Sequence, residues 1–378
     1  MKKVAILFIV LFTSSSMILA QKTYVPDDKF EQALIDLGYD TTLDDSVVTA
    51  NISGVTSLNV GEKEISDLTG IEAFVALTSL YCYSNKLTSL DVSSNTALTA
   101  LSCPINQLTS LDVTKNTSLK YLTCYSNQLT SLDVSKNTAL EELLADQNQL
   151  TSVDVSKNTA LGRLDLSYNK LTSLDVSKNT ALSSLWCLAN KLTSLDVTAN
   201  TALTDLHCAS NQLTTLDVSS NTALIQLFVW QNQLTSLDVS KNVALENLTA
   251  DNNKLTSLDV TNNIHITNLG CYDNQLTSLD LSQNTKLKVL YASENQLTSL
   301  NMRNGVKDSL TTFVIHTNPS LTCIEALEPA WATANWTNAN DNMEMDAGVT
   351  FAYICGVDVD GVSTYNNNGI KAITFNVE

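Results

Sequence analysis

Six cysteines recur at one position of a repeating segment, and regularly spaced thiols are the first candidates for chemistry in this sequence. They lie at multiples of 21 residues: Cys82, Cys103, Cys124, Cys187, Cys208 and Cys271. Stacked thiols could bind a metal ion or form a disulfide ladder. Other copies of the segment place an apolar residue there: Ala145, Leu166, Val229, Ala250 and Ala292. We therefore predict that these cysteines pack in the core as small apolar side chains.

A second repeated position carries a carboxylate. The row comprises Asp91, Asp112, Asp133, Asp154, Asp175, Asp196, Asp217, Asp238, Asp259 and Asp280. Neighbouring carboxylates one strand apart would repel each other by roughly 0.2–1 kcal/mol per pair. Flanking Ser and Thr hydroxyls and the frequent lysines of the repeat could offset this repulsion, and bound calcium is the alternative. Because a flat row offers few ligands per ion, we favour the hydroxyls and lysines and predict no metal site and no cofactor.

We find no constellation of residues typical of catalysis. The three histidines, His207, His265 and His316, occur singly, and H-E-x-x-H, G-x-S-x-G and phosphate-binding glycine loops are absent from the sequence. Paired carboxylates occur only as parts of the repeat. We therefore expect that the protein is not an enzyme.

The repeat itself is 21 residues long and begins clearly with LTSLYCYSNKLTSLDVSSNTA at residues 77–97. An asparagine marks each copy: Asn85, Asn106, Asn127, Asn148, Asn169, Asn190, Asn211, Asn232, Asn253, Asn274 and Asn295. Both halves of a copy follow L-x-x-L-x-apolar-x-x-N, and the alternation predicts a short strand in each half. A fixed short period indicates a solenoid, in which coils bury apolar residues against their neighbours. We predict a mostly β solenoid with two strands per coil, two short parallel sheets, and asparagines that turn inward to bond the backbone.

The first twenty residues are typical of a secretory signal peptide. Lys2 and Lys3 precede an apolar run at 4–12 that is too short to span a bilayer, and Ala20 is a plausible cleavage point. An uncleaved anchor is the alternative. No later stretch is long enough to cross a membrane, so we expect a secreted or cell-surface protein without a membrane span.

Residues 21–54 differ from the repeat and predict a short helical cap over its first coil. Asp28 and Glu31 match a capping box, and Gly38 is a natural stop for the helix. The apolar face of this helix comprises Phe30, Leu34 and Leu37. Such a cap would cover apolar core and strand edge that the first coil otherwise exposes.

The pattern resembles bacterial exported leucine-rich repeat proteins of the 21-residue class, flavobacterial in type and internalin-like in architecture. YVPDDKFEQALIDLGYD at 24–40 and NPSLTCIEALEPAWATANW at 318–336 resemble their N- and C-terminal caps. The resemblance implies a leucine-rich repeat solenoid that serves as an exported binding or adhesion module.

The expected domain limits are a signal peptide at 1–20, a helical cap at 21–54, the solenoid at 55–324, an irregular cap at 325–355 and a short β tail at 356–378. Cys323 and Cys355 flank the C-terminal cap, outside the repeated cysteine position. Because the chain is expected to be exported, we predict that these two form a disulfide.

One half of the repeat changes its outward residues in every coil, whereas the other half barely varies. Divergence on one face indicates that this face meets a specific ligand, although mere tolerance is the alternative. The predicted outward aromatic and histidine residues are Tyr81, Tyr83, Tyr121, Tyr125, Trp186, His207, Phe228, Trp230, Tyr272 and Tyr291. Acidic residues are expected to lie exposed between them: Glu142, Asp146, Asp165, Asp205 and Asp251.

Exposed aromatic patches are typical of protein interfaces, and flat aromatic rows also stack on sugars, so the expected ligand is an extracellular protein or glycan. The alternative for the aromatic residues is that they simply favour strands. The net charge of −18 argues against nucleic acid, since no basic stripe could neutralise phosphates. A structural spacer or surface-layer component is the second hypothesis for function, and an enzyme or enzyme inhibitor is a remote third.

Overall fold

The computed structural model describes residues 20–338 and 342–356 of the 378-residue chain. Contacts divide the chain into two compact units, Met1–Asn232 and Gln233–Glu378, and each is described by itself. The predicted signal peptide lies outside the described residues except for Ala20, and so does the predicted β tail beyond Gly356.

The first unit contains a cap followed by one short strand in each coil. Its cap elements are β1 (Lys22–Tyr24), α1 (Asp28–Asp36), β2 (Ser46–Val48) and α2 (Thr49–Ile52). The repeat strands are β3 (Ser57–Asn59), β4 (Ser79–Tyr81), β5 (Ala100–Ser102), β6 (Tyr121–Thr123), β7 (Glu142–Leu144), β8 (Arg163–Asp165), β9 (Ser184–Trp186), β10 (Asp205–His207) and β11 (Gln226–Phe228), with a 3-10 turn at Ile71–Ala73. Strands β1 and β2 pair antiparallel. Strands β3 to β11 form a parallel sheet in chain order, so each residue lies beside its equivalent in the next coil.

The second unit contains two parallel sheets and the C-terminal cap. Its elements are β12 (Asn247–Thr249), β13 (Asn268–Gly270), β14 (Ser278–Asp280), β15 (Val289–Tyr291), β16 (Ser299–Met302), β17 (Thr312–Val314), β18 (Cys323–Ala326), α3 (Pro329–Asn335), β19 (Met343–Glu344) and β20 (Thr350–Ala352). The first sheet runs β12-β13-β15-β17-β19, and the second runs β14-β16-β18-β20. The leucine-rich repeat solenoid is therefore present in both units.

The second strand of each coil forms in fewer coils than expected. In the described part of the first unit, the second half of each coil contains no strand, and an isolated bridge joins Asp91 to Asp112. The extended stretch ends at the aspartate, whose carboxylate accepts the amide of the residue two positions later: Ser93 N–H donates to Asp91 Oδ1 at 2.9 Å. The same turn follows β14, where Ser282 N–H donates to Asp280 Oδ1, so the turn ends the stretch without deciding whether a strand forms before it.

Leucine, valine and cysteine fill the core as the repeat predicts. In one coil Leu119, Leu122 and Cys124 have no exposed surface, and all six repeated cysteines are buried free thiols. Burial raises the pKa of Cys82 and of Cys208 to about 12. The prediction that these cysteines act as small apolar residues is confirmed.

The first asparagine of each coil turns inward and bonds the backbone, as predicted, and part of that backbone belongs to the coil before it. Asn106 donates from Nδ2 to the carbonyl oxygens of Cys82, at 3.0 Å, and Cys103, at 3.1 Å. Its Oδ1 accepts the amide of Leu87 in the preceding coil at 3.0 Å. Each of these carboxamides satisfies backbone groups that the bend leaves without a sheet partner.

The second asparagine is buried more deeply and is less completely bonded. Asn137 has no exposed surface and donates to the carbonyls of Val113, at 2.9 Å, and Asn116, at 2.8 Å. Its Oδ1 has no hydrogen-bond partner. The two asparagines of one coil therefore contribute differently to stability.

The residue before the first asparagine adopts a left-handed backbone in coil after coil, which we did not predict. At this position φ lies between 49° and 58°, in Ser84, Ile105, Ser126, Gln147, Tyr168, Ala189, Ser210, Gln231, Asn252, Asp273, Glu294 and Thr317. This conformation is uncommon outside glycine and especially so for a β-branched side chain such as that of Ile105.

The N-terminal cap contains the predicted helix with a different N-cap. Asp27 caps α1, because its Oδ1 accepts the amides of Lys29 and Phe30 at 2.9 Å. Glu31 is fully buried and binds elsewhere, accepting the amides of residues 44–46 at 2.9–3.1 Å. The prediction for Leu37 is wrong: it follows the last helical turn and is 47% exposed.

The C-terminal cap closes around one tryptophan and one disulfide. Trp336 is 3% exposed and packs against Phe313, with ring centroids 5.2 Å apart, and against Phe351, at 5.8 Å. The predicted disulfide between Cys323 and Cys355 is confirmed. It links β18 to the turn that follows β20 and closes the cap.

Candidate functional site

The variable face consists of the outward residues of the first-half strands and the outward residue two positions beyond each strand. In one coil these are Ser184, Trp186 and Leu188, which alternate with the buried Leu185 and Cys187. All ten predicted site residues occupy such outward positions, eight in the first unit and two in the second, and each keeps part of its surface exposed: Tyr81, Tyr83, Tyr121, Tyr125, Trp186, His207, Phe228, Trp230, Tyr272 and Tyr291.

Three of these side chains form an aromatic stack, Trp186–His207–Phe228, on β9, β10 and β11. The strands pair in register, which places His207 beside Trp186 on one side and beside Phe228 on the other. The indole and imidazole are parallel, with an interplanar angle of 2° and centroids 4.7 Å apart. The imidazole and the Phe228 ring are 4.2 Å apart and tilted by 46°. Burial lowers the pKa of His207, so the ring is neutral at neutral pH.

Arg163, which is not among the predicted site residues, joins the stack from β8. Its guanidinium carbon lies 5.2 Å from the centroid of the Trp186 ring, and its Nη1 lies 3.5 Å from Glu142 Oε2. A cation over an indole face is favourable. The sequence signal for this contact is an arginine at an outward strand position, one coil before the coil that carries Trp186.

The other predicted residues of the first unit occupy separate parts of the face. Tyr83 lies over Gly61, since a Cβ at Gly61 would come within 2.5 Å of the Tyr83 ring. Tyr121 donates its hydroxyl to Glu141 at 3.1 Å. Trp230 lies at the outward position two residues beyond Phe228 and is half-buried. In the second unit Tyr272 and Tyr291 are 37% and 43% exposed.

Two of the acidic residues are buried, against the expectation that they lie exposed. Asp165 is only 7% exposed because Leu144 and Trp186 flank it on the adjacent strands. Its Oδ1 accepts the amide of Ser167 at 2.9 Å, and burial raises its pKa. Burial, followed by the charge of Asp165, raises the pKa of the half-buried Asp146 to about 6.

Asp251 is the corresponding buried acid of the second unit. It is 9% exposed, and its Oδ1 accepts the amide of Tyr272 at 2.9 Å. The carboxylate lies against Gly270, where an added Cβ would come within 2.6 Å of Asp251 Oδ2. Burial raises the pKa of Asp251 to about 7. The sequence signal for this arrangement is a glycine, Gly270, at an outward strand position.

The aspartate row on the other side of the coil is stabilised locally. The Oδ1 of Asp112 accepts the Thr114 hydroxyl at 2.7 Å and the Thr114 amide at 2.8 Å. These bonds lower the pKa of Asp112, and Lys115 adds a favourable charge. The predicted hydroxyl and lysine contacts are therefore present, together with a backbone amide that was not part of the prediction.

Among the described residues, one group of carboxylates lies close enough to suggest a metal site: Glu31, Asp40 and Asp44 in the N-terminal cap. The Glu31 oxygens already accept backbone amides, and Lys22 Nζ bonds Asp44 Oδ2 at 2.7 Å. Contacts within the cap therefore account for two of the three carboxylates, whereas Asp40 Oδ2 is buried without a hydrogen-bond partner.

Within residues 20–338 and 342–356, none of the helices has the length and apolar character needed to cross a bilayer. The Cys323–Cys355 disulfide is typical of a protein that matures in an oxidising compartment.

Known proteins share both the fold and part of the sequence. The functional domain of InlJ from Listeria monocytogenes, a structure described as including a cysteine ladder, is 34% identical and superimposes with a TM-score of 0.64. The match covers 86% of this chain and 81% of that one. The internalin InlF from Listeria monocytogenes is 20% identical and superimposes with a TM-score of 0.68. That match covers 80% of this chain and 89% of the InlF chain, and it shows a shared fold.

The curated protein Internalin J from Listeria monocytogenes serotype 4b is 41% identical over 73 residues, which are 19% of this chain and 8% of that protein. No protein-family model matches the sequence. The buried cysteine positions, the capped 21-residue coils and the 34% identity across most of the InlJ domain lead to one conclusion: the chain belongs to the internalin-like leucine-rich repeat proteins.

Proposed function

We propose that the protein is an exported, non-catalytic recognition or adhesion module that binds an extracellular protein or glycan through the variable face. The observation that carries the proposal is the aromatic stack of Trp186, His207 and Phe228 on outward strand positions. These rings retain exposed surface in a fold whose core is already filled by leucine, valine and cysteine. Partly exposed aromatic clusters are typical of binding hot spots.

The family likeness agrees with a protein-interaction or adhesion role. The proposal includes secretion or cell-surface display after cleavage near Ala20 and keeps the domain limits given above. A structural spacer is the competing function, and it would leave the chemistry of the variable face without consequence.

The test replaces Trp186, Phe228 and Trp230 together by serine and measures ligand capture on a glycan array and in a pull-down from extracts. The matched control replaces Lys136, Lys157 and Lys178 by serine, since these exposed residues lie in the invariant half of the coil. We expect the aromatic variant to lose binding and the lysine variant to keep it. Equal binding by both variants would overturn recognition by the variable face, and a parent protein that captures no ligand would favour the spacer.

A further inference from the structure

From the chemistry beside the aromatic stack we infer that the ligand is a polypeptide segment carrying an arginine or lysine, whose cation is held by Asp146 and Asp165. This inference rests on the proposed recognition function and names its partner class.

The charges around the stack are unbalanced. Glu142, Asp146 and Asp165 occupy outward positions of two adjacent coils, and Arg163 Nη1 lies 3.5 Å from Glu142 Oε2. The charge of Arg163 also acts to lower the pKa of Asp146 and Asp165, so one guanidinium faces three carboxylates, which leaves a charge of −2 when all are ionised (−3 + 1). The charge of Asp165 contributes to the raised pKa of Asp146, so the two repel each other in the free protein. A second cation at this place would relieve that repulsion.

A buried hydroxyl lies beside the two carboxylates. Ser167 is 3% exposed and takes the position of Asp146 in the next coil. Its amide bonds Asp165, and its Oγ, which makes no well-aligned hydrogen bond, lies close enough to Asp165 to help lower the pKa of that carboxyl. Guanidinium and ammonium groups carry several N–H donors, so one cation can bond Asp146 and Asp165 together.

The orientation of the rings favours a polypeptide over a glycan. Trp186 has Arg163 over its ring and His207 parallel to it, and His207 in turn lies between Trp186 and Phe228. Sugars stack on ring faces, and in this stack the faces of Trp186 and His207 are covered by neighbouring side chains. What the stack offers outward is ring edges, which suit the aliphatic and aromatic side chains of a peptide.

A calcium ion suits the same position poorly. Calcium takes six to eight oxygen ligands, whereas Asp146, Asp165 and Ser167 bring a small set of oxygens next to the positive charge of Arg163. An organic cation on a flexible side chain needs fewer ligands and brings its own apolar stem to the ring edges.

In the experiment, a random phage-displayed library of 12-residue peptides is selected for binding to the immobilised full-length protein. Selected peptides are then synthesised and titrated against variants. We expect enriched peptides to contain arginine or lysine beside an apolar residue. Their affinity should fall about tenfold or more in Asp146→Asn/Asp165→Asn. The control Asp133→Asn/Asp154→Asn removes the same charge from the invariant half of the coil and should bind as the parent does. Asparagine keeps the Oδ1 acceptor for the Ser167 amide, and thermal melts of both variants check folding.

The alternative outcomes are separable. Peptides that lack basic residues, or that bind the Asp146→Asn/Asp165→Asn variant equally well, would overturn the cationic partner. If their binding is nonetheless lost in the Trp186/Phe228/Trp230 serine variant, the proposed recognition function stands. Glycan binding that depends on those aromatic residues, with no peptide enriched, also overturns the partner class alone. Calcium that raises the melting temperature of the parent but not of the aspartate double variant assigns the site to the ion. Binding that survives in the aromatic variant sinks both proposals.

Discussion

The indole of Trp186 and the imidazole of His207 lie parallel, 4.7 Å apart, on adjacent strands of the variable face. His207 also contacts Phe228, so one neutral imidazole joins two large rings. The stack depends on in-register parallel strands, which bring equivalent residues of successive coils side by side.

Replacing His207 should separate the two rings that it joins. Aromatic pairs contribute about 0.5–1.5 kcal/mol each beyond area burial, so His207→Ala should lower the free energy of unfolding by about 1–3 kcal/mol. It should also shift tryptophan emission to longer wavelength, because Trp186 loses a neighbour and gains water. His207→Phe keeps a ring in place and serves as the control. An unshifted emission spectrum in His207→Ala would contradict the stacked arrangement.

Asp251 should make the protein less stable as the pH rises. Its folded-state pKa of about 7 lies above the ordinary carboxyl value of 3.8, so the folded state holds a proton that the unfolded state releases. That stabilisation is complete below about pH 4 and is lost as the pH approaches 7. Asp251→Asn should therefore raise stability at pH 8, by about 4 kcal/mol at most, and change little at pH 4. Urea unfolding of the parent and the variant at pH 4 and at pH 8 measures this difference in the free energy of unfolding.

Asp259 provides the control of opposite sign in the second unit. The Thr261 hydroxyl and amide lower its pKa, so its contribution is present above the ordinary carboxyl pKa and is lost on acidification. Asp259→Asn should be less stable than the parent at pH 8 and similar at pH 3. The same pH profile for both variants would refute the assignment of Asp251 as a buried acid.

The two asparagines of one coil should differ in their cost of removal. Asn127 accepts the amide of Leu108 and donates to the carbonyls of Cys103 and Cys124, whereas the buried Asn137 lacks a partner for its Oδ1. Asn127→Ala leaves a buried amide without an acceptor, so we expect a loss of about 3–4 kcal/mol against about 2 kcal/mol for Asn137→Ala. Chemical denaturation of both variants decides the order, and a reversed order would contradict it.

Ile105 offers a stabilising substitution. Its φ is 55° and its side chain is 50% exposed, so the β-branched residue bears backbone strain with little burial in return. Ile105→Asn should raise the free energy of unfolding by about 1 kcal/mol, since asparagine tolerates the left-handed region. Ile225→Asn replaces another exposed isoleucine, one that lies outside the left-handed positions, and should give no such gain.

Mild reduction should expose two thiols and leave six unreactive. Cys323 and Cys355 form a disulfide at the C-terminal cap, whereas the six repeated cysteines are buried and free. A thiol reagent should therefore modify two cysteines in the reduced native protein and eight after unfolding. Loss of the disulfide should destabilise the cap by about 3–4 kcal/mol, detectable as faster proteolysis between α3 and β20. Rapid reaction of further thiols in the native state would contradict the burial of the six repeated cysteines.

The solenoid could be predicted because its tertiary contacts repeat with the 21-residue period of the sequence. The partner of Leu122 is Leu143, the equivalent residue of the next coil, so the core follows from one copy of the repeat. The outward placement of Trp186 and Phe228 follows from the same alternation.

The details of the site depend on side-chain contacts that the period does not determine. Asp165 and Asp251 occupy outward positions, but Leu144, Trp186 and the space above Gly270 bury them. The N-cap at Asp27 and the turn at Asp91 likewise depend on single hydrogen-bonded carboxylates. Asp27 accepts the amide of Phe30, and Asp91 accepts the amide of Ser93.

The direction in which the asparagines bond has a consequence for biosynthesis. Asn106 reaches back to Cys82 and Leu87, so a coil completes the one that precedes it in the chain. A polypeptide that emerges N-terminus first can therefore fold its coils in the order of translation. Each newly made asparagine then forms the hydrogen bonds that complete the turn of the preceding coil. Only the most recent coil waits for its closing residue, which shortens the time that apolar strand edge is exposed to aggregation.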